Sequence, residues 1–128
     1  LATPADVAAA LRAGATATAV GTVLLRADES GASATHKAAL TDPSRTETVI
    51  TRAFTGRPAR GLRNRFIDEF EASAPLGYPA LHHLTSPLRK AAAAAGESDL
   101  VHLWAGTGYR HAPQKPTATI LTDLAGQA

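Results

Sequence analysis

The sequence predicts an α/β chain, mainly helical, and three observations carry that prediction. Between residues 3 and 22 a capped helix, a tight turn, a short β-compatible run and a Gly-Thr pair follow one another, which is the rhythm of an α/β repeat. A second run, Thr46 to Phe54, is rich in β-branched residues. Most of what remains carries apolar residues at helical spacing.

The first helix is predicted from its start signals. Thr3 suits the N-cap, Pro4 the first helical position, and Asp6 the positive end of the helix dipole. Val7 and Leu11 give the apolar face, and Gly14 the stop. Thr16 to Val20 is then expected as a short strand, ended by Gly21-Thr22 and followed by the apolar Val23-Leu24-Leu25. A second helix is expected over Ser33 to Leu40, closed by the turn Asp42-Pro43-Ser44. The strand Thr46–Phe54 should break at Gly56-Arg57-Pro58, and a third helix should run from Arg60 or Gly61 to Phe70 on a Leu62, Phe66, Ile67 and Phe70 stripe. Ala72 to Pro79 reads as loop. Ser86-Pro87 reads as the start of a helix that Gly96 stops after Ala95. Trp104 to Tyr109 is a glycine-containing loop. The last helix covers Thr117 to Leu124, with Ile120, Leu121 and Leu124 inward and Gly126 as the stop.

Composition narrows the function classes. Hydrophobic residues make up 45% of the 128, but only 5% of the chain is aromatic and much of the rest is alanine, so a core made from this chain alone should be thin. A net charge of +2 is too small to argue for a polyanion partner. Cysteine is absent, which excludes disulfides and thiolate metal sites and fits a cytoplasmic setting. No apolar run approaches the ~20 residues that span a bilayer, and the first residues do not read as a secretory signal, lacking a basic region followed by an apolar stretch. Methionine is absent as well, and a chain opening Leu1-Ala2-Thr3-Pro4 is expected to be a segment whose beginning lies elsewhere.

Four motifs bear on chemistry. Gly21-Thr22, at the end of a strand and before a helix, would expose backbone N–H groups and a hydroxyl, the donors that hold a phosphate; the plain alternative is a turn. Phe54 to Asn64 reads as an anion-facing loop or, in the favoured reading, as a structural loop whose arginines satisfy carbonyls and carboxylates. Arg52, Arg57, Arg60, Arg63 and Arg65 lie there, but without interleaved aromatics and with Asp68, Glu69 and Glu71 following, so nucleic acid is not expected as a partner. His36, His82, His83, His102 and His111 show no ligand-like spacing, so no metal site is expected, and none has a companion in sequence that would tune it as a base. Trp104 lines a ligand or, more simply, anchors its loop on the core.

Three ordered stretches together resemble the nitronate monooxygenases, formerly called 2-nitropropane dioxygenases. They are Asp6 to Ala15 with Val20 to Leu25 and Glu29-Ser30-Gly31; Phe54 to Arg65; and Tyr78-Pro79 with Leu84 to Arg89 and Leu103 to Gly106. The resemblance runs from about Pro4 to Leu124. It implies the C-terminal part of a TIM (β/α)8 barrel with a helical extension, incomplete on its own. Residues from about 1 to 41 would be the last barrel helix–strand–helix, and those from about 42 to 128 a strand and helical extension. It further implies FMN as cofactor, held through Ala19, Val20, Gly21 and Thr22, with alkyl nitronate and O2 as reactants in an oxidative denitrification. Ala19 departs from the family, which has glutamine or another polar residue there. The family's catalytic histidine lies upstream, so no catalytic residue is expected in this segment, which alone would be inactive. The missing N-terminal half, or self-association, would then complete the fold. Rival readings are a catalytically inactive barrel remnant serving as a structural or interaction segment, and a related flavin barrel that reduces quinone or enoyl substrates.

Overall fold

A computed structural model describes residues 1–126. It contains five α-helices, a two-stranded sheet and several 3-10 turns: α1 (Pro4–Arg12), α2 (Ala34–Ala39), β1 (Thr48–Thr51), β2 (Ala59–Leu62), α3 (Arg65–Phe70), α4 (Ala80–Ala95) and α5 (Thr117–Ala125). This is an α/β chain dominated by helix, as expected. No helix among the described residues is long and apolar enough to cross a membrane. The chain divides into two compact units, one from residues 1–32 with the segment from 108 onward, the other from 33–107.

In the first unit, α1 begins as its sequence dictates. The Thr3 side chain accepts from the Asp6 amide at 3.2 Å, and the Asp6 carboxylate accepts from the Ala2 and Thr3 amides at 2.8 and 3.0 Å, closing a reciprocal capping box. Helix α5 packs on α1, and Val7, Val23, Ala27, Ile120 and Leu124 form the core between them. The entry to α5 has no cap of its own. Glu29 supplies one from far away in sequence, its carboxylate accepting from the Thr117 amide and hydroxyl, both at 2.8 Å.

Several expectations change here. Thr16–Val20 is not a strand: it runs without a ladder partner among the described residues, because a strand exists only where a neighbour supplies donors and acceptors. Val23-Leu24-Leu25 is no strand either; Thr22–Leu24 is a 3-10 turn closed by Leu24 N–H to Gly21 O and Leu25 N–H to Thr22 O. Leu11 and Leu121 are exposed, since single apolar positions at the margins of α1 and α5 lie outside the interhelical seam.

The second unit is organised by a hairpin. β1 and β2 pair antiparallel, with Thr48 opposite Leu62 and Thr51 opposite Ala59. β1 is therefore shorter than the expected Thr46–Phe54, and β2 occupies residues expected to be helical. The reason is tertiary. Leu62 N–H donates to Leu103 O at 2.9 Å and Ala105 N–H to Arg60 O at 3.2 Å, so the segment around Trp104 lies along β2. A side chain at Gly61 would stand 2.8 Å from Leu103 O, so only glycine admits this approach. Helix α3 is capped by Asn64, whose side-chain oxygen accepts from Ile67 N–H at 3.2 Å while its side-chain amide donates to Val101 O at 2.8 Å.

Phe54, Phe66, Ile67 and Ala53 make the core of this unit, with Phe54 stacked on Phe66 at 4.5 Å. Phe70, the last member of the predicted stripe, is exposed. The turn after β1 is held by Glu71, whose carboxylate accepts from the Thr51 hydroxyl at 2.5 Å and the Arg52 and Ala53 amides at 2.8 and 3.1 Å. Helix α4 begins at Ala80, not at Ser86, and Pro87 lies inside it. The carbonyl that Pro87 leaves without its helical donor belongs to His83; both residues are exposed, so water can replace the bond. Gly96, at φ +77°, ends the helix in the left-handed conformation.

Candidate functional site

The residues singled out for anion binding lie in the first unit. Val20 packs partly against the core of that unit, Gly21 and Ala19 are exposed, and Thr22 opens the 3-10 turn. The Gly21 carbonyl accepts from Leu24 N–H, which fixes the turn, but the Val20 and Gly21 amides donate to no acceptor among the described residues. A methyl group built on Gly21 would meet no atom within 4 Å. Two amides and an open approach to the backbone therefore coincide at one position, anchored from behind by Val20. The expected helix after Gly-Thr is only a three-residue turn, too short to contribute a macrodipole, so any hold on an anion rests on the amides and the Thr22 hydroxyl. Ala19 offers no side-chain donor.

The arginine string in the second unit is largely engaged by its own neighbours, in keeping with the structural reading. Arg63 bridges Glu47 at 2.8 Å and Asp68 at 2.6 Å. Arg60 donates to the Thr48 carbonyl and hydroxyl at 3.2 and 3.1 Å, Arg65 pairs with Glu69 at 3.7 Å, and Arg52 lies 3.7 Å from Glu71. Arg57 stands over the Tyr78 ring, 5.7 Å from its centre. Trp104 anchors its loop: it bridges to Gly61 and meets Phe54 edge-on at 6.0 Å.

Sequence reasoning missed a cluster that the fold builds around Arg89. This arginine is only 5% exposed and meets no carboxylate among the described residues. Its Nε donates to Thr85 Oγ1 at 3.1 Å, Nη1 reaches His102 Nε2 at 3.1 Å, and Nη2 reaches His82 Nδ1 at 3.1 Å and the His82 carbonyl at 2.7 Å. The Thr85 hydroxyl in turn donates to the Phe54 carbonyl at 2.6 Å, tying the cluster to the hairpin. Two of the five histidines thus do share a companion, contrary to the expectation from spacing. Burial and then the adjacent Arg89 charge push the His102 pKa down to about 4. Its Nδ1 is buried with no partner among the described residues, a state that costs about 1–3 kcal/mol for an ordinary polar group. His36, lowered chiefly by burial, lies 3.1 Å through Nε2 from the Trp104 carbonyl. His83 and His111 are exposed.

Comparison with known proteins follows the same lines. The nitronate monooxygenase family profile matches residues 1–126. A protein of Staphylococcus aureus (strain Newman) named "Probable nitronate monooxygenase" is 40% identical over 124 residues, covering 94% of this chain and 35% of the relative. The protein of the same name from S. aureus (strain JH9) matches at 40% over the same shares. Among solved structures, a nitroalkane oxidase from Streptomyces ansochromogenes superimposes with a TM-score of 0.95 at 53% identity, over 98% of this chain and 36% of that one. The chain thus spans about a third of the length of the relatives it matches, 35% and 36% in these cases.

Proposed function

The chain belongs to the nitronate monooxygenase family, and from that premise we propose that it is the phosphate-holding part of an FMN-dependent oxidoreductase acting on alkyl nitronates with O2. The observation that carries the cofactor assignment is the open backbone at Val20 and Gly21, where, among the described residues, no acceptor engages the two amides and no atom stands within 4 Å of a methyl built on the glycine. A phosphate suits these donors: several N–H groups converging on one oxyanion hold it without a lysine or arginine. Val20 would fix the height of the loop through its contact with the core, the Val20 and Gly21 amides would donate to phosphate oxygens, and the Thr22 hydroxyl would add a third donor. Ala19 would contribute backbone only. FMN, when bound, would supply the redox chemistry that joins nitronate to O2. No residue of this chain is assigned a proton-transfer step.

In this reading Thr16–Val20 becomes a barrel strand when strands from outside this chain supply its missing ladder, and the histidine that serves as base belongs to those other elements. The decisive experiment uses the natural full-length protein. Its flavin absorbance should be present as purified or return on incubation with FMN, and Gly21→Ala should fold normally yet retain FMN at least tenfold less tightly. A colourless protein that FMN does not reconstitute would overturn the proposal.

A further inference from the structure

The Arg89 cluster has a consequence that depends on neither FMN nor substrate. A guanidinium carries five N–H donors and no acceptor. Every atom that meets Arg89 at hydrogen-bond distance must therefore accept, including one ring nitrogen from each of two histidines. A ring nitrogen that accepts has a free lone pair and no proton. His82 must then carry its proton on Nε2, and His102 on Nδ1. We propose that Arg89 is a positioning residue that locks His82 and His102 as neutral imidazoles of opposite tautomer, leaving each a hydrogen-bond donor and neither a general base.

Four observations bear on this. The lone pairs that would abstract a proton are already directed at the guanidinium, 3.1 Å away in both cases. Protonating either ring would set an N–H against an N–H and a second cation beside a buried one. The groups acting on His102 from the surrounding elements are Arg89 and His82 on α4 and His36 on α2; none is a carboxylate that could favour an imidazolium. Thr85 holds the guanidinium in register, because its hydroxyl spends its one proton on the Phe54 carbonyl and so has only lone pairs to offer Arg89. The two remaining protons differ in setting. That of His102, on a buried Nδ1 with no partner among the described residues, is set to donate to an oxygen brought by another segment or a ligand. That of His82 lies on a half-buried ring next to Tyr78, whose ring also carries the Arg57 guanidinium.

Nitrogen NMR of the histidine-labelled natural protein tests this directly. Long-range proton–nitrogen correlations at about pH 8 should show two rings of opposite neutral tautomer, and the His102 shifts should stay constant from about pH 5 to 8, where an ordinary histidine near 6.5 titrates. Arg89→Met should collapse the single-tautomer pattern of both rings and bring at least one into titration within that range. Arg89→Lys keeps a charge but not the fork, and should preserve at most one of the two tautomers. The inference fails if either wild-type ring carries its proton on the nitrogen facing Arg89, or if His102 titrates near pH 6.5. The wild-type spectrum alone decides this even if Arg89→Met does not fold. Flavin content is not part of the readout, so failure here and failure of the FMN assignment are separate results.

Discussion

Two stretches of this chain look alike as sequence and end differently as structure. Thr16–Val20 and Thr48–Thr51 are both short, β-compatible and flanked by turn residues. The second is a strand because β2 returns along it a few residues later, and the Trp104 segment lies along β2 in turn. The first has no partner among the described residues and stays irregular and largely exposed, with Val20 packed partly against the core. A strand is a property of a pair. The hairpin fills its own valences, whereas 16–22 keeps amides to offer, and that difference separates the part that holds the fold from the part proposed to hold a ligand.

The sharpest way to break this contrast is to remove the core under the hairpin. Phe54 is fully buried, stacked on Phe66 and edge-on to Trp104, so Phe54→Ala should cost about 3–5 kcal/mol and move the urea midpoint strongly downward. A loss under 1 kcal/mol would mean that the second unit does not depend on this core. Glycine substitutions come next and compare the two regions at one residue type. Gly61→Ala drives a methyl against the Leu103 carbonyl at 2.8 Å and should cost about 1–3 kcal/mol. Gly21→Ala meets no atom within 4 Å and should stay within about 0.5 kcal/mol of wild type. Equal destabilisation by the two would erase the distinction between a packed glycine and an open one.

The same contrast explains what the sequence disclosed. Helix α1 was legible because its signals are local: Thr3, Pro4 and Asp6 cap and charge the first turn whatever lies around them. Strand β2 was not, because Arg60-Gly61-Leu62 continues a helical stripe through Phe66 and Phe70, and it is pairing with β1 on one side and the Leu103 segment, distant in sequence, on the other that selects the strand. Gly21 could be singled out from its motif, though the unengaged amides needed coordinates. The Arg89 cluster was hidden by a wrong helix start. His82, Thr85 and Arg89 follow one another at spacings of three and four, which places them on one face, but reading Ser86-Pro87 as the N-terminus removed the first two from the helix. His102 joins through the fold alone.

The smallest predicted effect concerns the one cap that crosses the first unit. Helix α5 starts on Pro116, which offers no side-chain acceptor, and Glu29 takes that role by accepting from the Thr117 amide and hydroxyl. Those bonds favour the carboxylate and hold its pKa below the ordinary glutamate value, the backbone bond contributing most. The sign follows from linkage. A depressed folded-state pKa means that the unfolded chain binds the proton more readily, so the contribution is complete above the unfolded pKa and fades as pH falls through the folded one. Melting temperature should therefore drop between pH 6 and pH 3 (roughly the carboxylate range) by more in wild type than in Glu29→Gln. At neutral pH the variant should melt slightly lower. Because Glu29 is well exposed, added salt should shrink the neutral-pH difference. If the two proteins trace parallel curves across that range, Glu29 does not cap α5, and the junction of residues 29 and 117 owes its geometry to the Val23, Ala27 and Ile120 packing instead.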